Sequence, residues 1–256
     1  MSNTTHAERL QHLVVGVLAA ALLATSAGVT AQSANQAPSP ADAQQSLSGK
    51  QQSIAPIAAT MAVGEMAQLN TALNHGLDAG LTVGDAKEIL VQLYAYTGFP
   101  RTLNALGELM KVLDARKQRG VQDAPGREPG PVPTGRELLA QGTANQTRLI
   151  GSPVRGPLFE FSPQVDEYLK THLFGDIFGR DNLDWQSRDL ATVGALAALS
   201  GVESQLQSHI AVSMNVGLTA AQLRQAADVL AERGQAEAAR HTRAAMDRHL
   251  AGPAGR

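Results

Sequence analysis

The stretch SGVESQLQSHIAVSMNVGLTAAQL, Ser200–Leu223, decides how this chain is read. A helical segment of buried character carries one histidine, His209, ends at Gly217 and restarts at Thr219. Glycine takes the left-handed C-cap conformation at little cost. Threonine then caps the next helix, with Gln222 three residues on as the partner of a capping box. The question is whether His209 is a chemical group or a polar residue that packing tolerates.

The same pattern occurs earlier. Written without gaps, GEMAQLNTALNHGLDAGLTVGDAKEIL from Gly64 lies over GVESQLQSHIAVSMNVGLTAAQLRQAA from Gly201. Gln68-Leu69 falls on Gln205-Leu206, and Gly80-Leu81-Thr82 falls on Gly217-Leu218-Thr219. Asp85 takes the place of Gln222 as a shorter capping-box partner. Glycine, cap and apolar phase agree, so we read an internal duplication. Helices are expected over 54–63, 67–79, 83–97, 101–116, 136–146, 163–173, 189–199, 203–216, 220–233 and 235–250, and no convincing set of strands. Asp189–Leu199, DLATVGALAAL, is apolar almost all round and is expected at the centre. The Pro/Gly-rich stretch 119–135 forbids a continuous helix and separates two blocks.

The length of 256 residues allows one large domain or two small ones. Aromatic content of 4% and plentiful alanine and leucine favour helices packed on helices. A net charge of -2 with no long basic run leaves no electrostatic footprint for nucleic acid. The absence of cysteine excludes disulfides, thiolate metal sites and thiol-based redox cycles. Arg9, the apolar core Leu13–Ala24 and the small residues Val29–Ala31 read as an export signal over 1–31, cut before Gln32. An uncleaved anchor is the alternative, although the core is short for a membrane span. Residues 32–49 read as a flexible tether. The first repeat is then 50–118 and the second 136–252.

Three segments carry a resemblance. RDLATVGALAALSGVESQLQSHIAVSMNVGLTAAQL, Arg188–Leu223, is similar to the core motif of the carboxymuconolactone decarboxylase family, which includes the alkyl hydroperoxidase D-like proteins. GLDAGLTVGDAKEILVQLYAYTGFPRTLNAL, Gly76–Leu106, resembles a second copy of its latter half. YLKTHLFGDIFGRDNLDWQSRDLATV, Tyr168–Val193, is similar to the approach to that motif in two-repeat members. The resemblance implies an all-α, alkyl hydroperoxidase D-like fold of two tandem repeats. It also implies ring assembly, here a homotrimer. The peroxidase branch places a Cys-x-x-Cys pair ahead of a histidine. In this sequence Val202 and Gln205 stand in the two cysteine places, His209 in the histidine place and Asp189 near the place of an assisting glutamate. The first block has Glu65, Gln68 and Ala72 in that register. Thiol peroxidase chemistry is therefore unavailable. Decarboxylation of a small lactone acid, which the resemblance implies to be cofactor-free, remains.

Decarboxylation needs a cation or donors for a carboxylate, stabilisation of enolate-like charge and an acid that protonates carbon. His209 is the candidate proton-transfer group, against a satisfied interior histidine. Asp189 is the candidate partner that charges or orients it, against a helix-start residue favoured by the dipole. Candidates for substrate binding are Arg188 and Arg101 as carboxylate clamps, Tyr94 and Tyr96, and His75; each has an ordinary reading as a surface or core residue. Tyr94 and Tyr96 cannot share a helix face. The histidines 75, 172, 209, 241 and 249 make no i, i+4 pair, so no metal site is expected. No phosphate-binding glycine loop and no Gly-x-Ser-x-Gly elbow is present. Phe174–Gln186 reads as a loop anchored by Phe174 and Trp185. The expectation is an exported, periplasmic or secreted lyase acting on a small carboxylated lactone or related unsaturated acid. It would have no cofactor, no nucleic-acid partner and no membrane span after signal cleavage. The alternatives are a non-catalytic or ligand-binding protein and a diverged isomerase or hydrolase.

Overall fold

A computed structural model describes residues 46–252. The expected export signal and most of the expected tether lie outside them. Within them the chain is all-α. A short α1 (Gly49–Gln52) leads into α2 (Ile54–Val63), α3 (Met66–Asp78), α4 (Val83–Gln92) and α5 (Tyr94–Gln118). After an irregular segment come α6 (Gly135–Ile150), α7 (Pro157–Phe161), α8 (Pro163–Tyr168) and a π-helix, Leu169–Ile177. The chain ends in α9 (Trp185–Ala198), α10 (Glu203–Asn215), α11 (Ala220–Glu232) and α12 (Ala236–Leu250).

The two halves share local geometry. Gly80 and Gly217 end α3 and α10 with φ of 96° and 99°. Thr82 and Thr219 form reciprocal capping boxes with Asp85 and Gln222. Each box satisfies two donors that a helix start would otherwise leave open. Gly98, at φ 79° and ψ 161°, breaks α5 where the sequence expects a stop.

Helices α2 and α9 pack against each other at the centre. Their sequences are rich in alanine, and nearly every residue of both is buried. The crossing is tight at Gly194, where a Cβ would stand 2.5 Å from the carbonyl oxygen of Ala55. One continuous apolar cluster takes residues from both halves, including Ile57, Met61, Leu90, Leu190, Ile210 and Leu230. Burial of this surface, at roughly 25 cal/mol per Å², drives the two halves into one body. A smaller cluster of Leu149, Leu173, Phe174, Ile177, Phe178 and Val212 joins α6 and the π-helix to α10.

Three expectations are refined. The segment read as a tether over 32–49 is packed where it enters the described residues: Leu47 is buried, its N–H donates to Gln225, and Ser48 caps α1. The segment after α5 is irregular as expected but does more than separate blocks. The carbonyls of Ala124 and Pro125 accept from the N–H groups of Val83 and Gly84 at 2.9 Å, closing the start of α4. The expected loop Phe174–Gln186 is shorter than read: 178–184 are non-helical, while the π-helix runs to Ile177 and α9 begins at Trp185. Its aromatic anchoring holds: Phe174 is buried, and the Trp185 indole N–H donates to the Phe178 carbonyl at 3.0 Å. Among the described residues no helix is long and apolar enough to cross a membrane.

Candidate functional site

Asp184 caps the start of α9, its carboxylate accepting from the Ser187 N–H at 2.8 Å. This cap sets the helix rotation that turns Arg188 and Asp189 inward, and neither side chain is exposed at all. From α10, His209 brings its Nδ1 to 2.8 Å from Asp189 Oδ1. A carboxylate only accepts, so Nδ1 carries the proton of this bond and the neutral imidazole presents Nε2 as its free base. The His209 side chain keeps 14% of its surface accessible. Asp189 Oδ2 is buried without a hydrogen-bond partner. Burial pushes the Asp189 carboxyl above its ordinary value, while the His209 hydrogen bond and charge act against it.

Tyr96 packs its ring edge-on to His209, with centroids 5.7 Å apart and planes at 80°. The ring is half-buried, but its hydroxyl is buried and makes no hydrogen bond of accepted geometry, although Thr192 and Asp189 stand beside it. Burial and the Asp189 charge both raise its pKa, so the phenol stays neutral and remains a donor. Ser213, one turn after His209 on α10, is likewise buried with its hydroxyl unpaired. A carboxylate, an imidazole and a phenol therefore meet where α9, α10 and the start of α5 converge. That arrangement can hold a proton on imidazole, release it, and donate a hydrogen bond to a developing negative charge.

The other sequence candidates are placed elsewhere. Arg188 is no free clamp. Its Nη2 donates to Glu88 Oε1 and to the Arg180 carbonyl, each at 2.9 Å, and its Nη1 donates to Gln92 at 3.1 Å. Glu88 also accepts from Arg180 and Asn182. Burial lowers the Arg188 pKa and Glu88 opposes it, yet a guanidinium stays charged here. This network runs across α4 and α9, fastening the two halves together. Its side chains are committed to one another because a buried charge must be paired.

Arg101 turns its Nη1 to the Ala62 carbonyl at the end of α2. Tyr94 faces away from the dyad, as expected of a residue two before Tyr96. Its hydroxyl meets His172 Nε2 and its ring stacks on Phe99 at 4.5 Å. His172 Nδ1 in turn lies 2.7 Å from Asp176 Oδ2. Sequence reasoning missed this half-exposed Tyr94–His172–Asp176 chain, although the four-residue spacing of His172 and Asp176 was visible. His75 is exposed on α3 and lines a separate cleft that does not include His209. Among the described residues no group of three His, Asp or Glu side chains is gathered as a metal site.

Residues 163–248 match the model of the Carboxymuconolactone decarboxylase family. The matched segment runs from α8 to α12. It contains both His209 and Asp189; Tyr96, Tyr94, Arg101 and His75 lie before it. A search of curated proteins finds none that matches the chain.

Proposed function

We propose that this carboxymuconolactone decarboxylase-family protein is a cofactor-free lyase acting on a small carboxylated lactone or related unsaturated acid. The observation that carries the reading is the 2.8 Å bond between His209 Nδ1 and the buried Asp189, inside the matched segment. In the proposed reaction the carboxylate carbon leaves as carbon dioxide, and the bonding pair delocalises into the unsaturated lactone as an enolate. Protonated His209 then gives its Nε2 proton to carbon, and Asp189 balances the imidazolium charge before transfer. The Tyr96 phenol donates to the enolate oxygen. The sequence contains no cysteine, so the thiol chemistry of the peroxidase branch has no nucleophile.

Arg188 is committed to internal partners, so the reading needs another cation to hold the substrate carboxylate. The reading takes it from a second copy of the chain. Support for self-association, with a homotrimer as the expected form, is an exposed apolar stripe on α5 made by Phe99, Leu103 and Met110. The reading also takes the two halves as copies of one unit, supported by the matched glycine corners and capping boxes. It takes the mature protein as periplasmic or secreted, supported by the Leu13–Ala24 apolar core.

The test is turnover of 4-carboxymuconolactone by the purified mature protein, with His209→Ala alongside. Release of carbon dioxide that disappears in a folded His209→Ala protein supports the lyase. A well-folded wild type that binds the lactone without turning it over points to a ligand-binding protein instead.

A further inference from the structure

We infer that the cleft beside Ala72 and His75 is a binding site for a small zwitterion, an amino acid with a short aliphatic side chain. The inference rests in one step on the reading of the two halves as copies. The cleft has a volume of about 300 Å³ and is formed by α2, α3 and the end of α11, with α1 at its edge. That volume is at the lower end of the range for small-molecule sites. The alignment that sets Gly64 on Gly201 also sets Ala72 on His209, Val229 on Gln92 and Arg233 on Tyr96. Ala72, Val229 and Arg233 all line the cleft. It is thus the first half's counterpart of the dyad site, built crosswise from α2, α3 and the end of α11 as the dyad site is built from α9, α10 and the junction of α4 and α5. Where the second half places an imidazole, the first half has only a methyl group, and space remains.

The charges of the cleft choose the ligand. Arg233 and Glu232, adjacent at the end of α11, both line it and, among the described residues, make no side-chain hydrogen bond or ion pair. His75 is also free. Pro56, Ala72 and Val229 supply the cleft's apolar lining, beside polar Thr60 and Thr71. A simple anion would meet Arg233 but face repulsion from Glu232, and a simple cation the reverse. A molecule with both charges satisfies both: its carboxylate accepts from the guanidinium and its ammonium donates to Glu232. Its aliphatic side chain then covers the apolar lining.

The experiment is titration of the full-length protein with L-leucine, followed by calorimetry and by the imidazole NMR signals of His75. The comparison compounds are 4-methylpentanoate, which lacks the ammonium, and isopentylamine, which lacks the carboxylate. Leucine is expected to saturate the site and move the His75 signals, with each comparison compound weaker by about tenfold or more. Arg233→Gln and Glu232→Gln are each expected to weaken leucine by about tenfold, and Ala72→Phe to abolish binding by filling the cleft. Both charge variants are at an exposed helix end, so folding is not at stake. Equal binding of 4-methylpentanoate and leucine, with no effect of Glu232→Gln, overturns the zwitterion. No saturation, or binding that survives Ala72→Phe, overturns the site. The readout is binding at His75, so failure here is distinct from failure of turnover at His209.

Discussion

Asp189 is held between a bond it makes and one it does not: its Oδ1 lies 2.8 Å from His209 Nδ1, while its Oδ2 is buried and unpaired. Replacing it with asparagine keeps the shape and removes the charge that steadies an imidazolium. In the proposed reaction Asp189→Asn should lower kcat by roughly 10²- to 10⁴-fold, with a smaller change in KM. Steady-state kinetics on 4-carboxymuconolactone decide this; an unchanged kcat would assign Asp189 to packing alone.

The same carboxyl makes stability depend on pH. Its folded pKa is raised above the ordinary value of 3.8, with burial as the cause. The native state therefore binds more protons than the unfolded chain, and the stability this confers is present below the unfolded pKa and lost as pH rises through the folded one. Wild type should lose Tm relative to Asp189→Asn as pH is raised from about 4 towards neutrality. A difference in Tm that stays constant over that range contradicts a raised Asp189.

The two tyrosines should separate by function. Tyr96 packs on His209, whereas Tyr94 bonds to His172. Tyr96→Phe should lower kcat by roughly ten- to a hundredfold as a donor to negative charge is lost. Tyr94→Phe should leave kcat within about twofold. Equal effects of the two would remove Tyr96 from the proposed site.

Glu88 is the carboxylate that accepts from the buried Arg188. Burial pushes the Glu88 carboxyl up, but hydrogen bonds from Arg180, Asn182 and Arg188 outweigh it, and the net shift is downward. Glu88→Ala strands the guanidinium and should cost about 3–5 kcal/mol in urea unfolding. The double change Glu88→Leu with Arg188→Met should recover much of that, because it removes both charges together. Glu88 also contributes stability above its unfolded value of 4.5 that is lost as pH falls through its lower folded pKa. A Glu88→Ala protein as stable as wild type would show that the network contributes nothing.

Gly194 sets the distance between the central helices. A methyl group there meets the Ala55 backbone, which cannot rotate away as a side chain can. Gly194→Ala should destabilise by about 1–3 kcal/mol despite the better helix propensity of alanine. An increase in the urea midpoint would mean that the crossing is looser than its contacts indicate.

The legible parts were those in which cause and effect lie within a few residues. Helix stops at Gly80, Gly98 and Gly217 need only a backbone that tolerates positive φ. The Thr82–Asp85 and Thr219–Gln222 boxes need only a side chain three residues from its cap. The near-continuous apolar sequence of α9 placed it at the centre, because no face of it could meet water without loss. The π-helix at Leu169–Ile177 had no comparable signal and was read as helix followed by loop.

The sequence by itself therefore determined an all-α chain, its helix order, its punctuation and the absence of thiol chemistry. The resemblance to the family's motif also singled out His209 with Asp189, which stand on successive helices. Only the tertiary structure decided which arginines were free. Arg188 meets Glu88 from far along the chain and is committed there, whereas Arg101 gives one N–H to the carbonyl of Ala62. The physical reason is that hydrophobic periodicity specifies which face of a helix is buried but not which polar group waits opposite it. A long cationic side chain turned inward takes whatever acceptor the packing of other helices supplies.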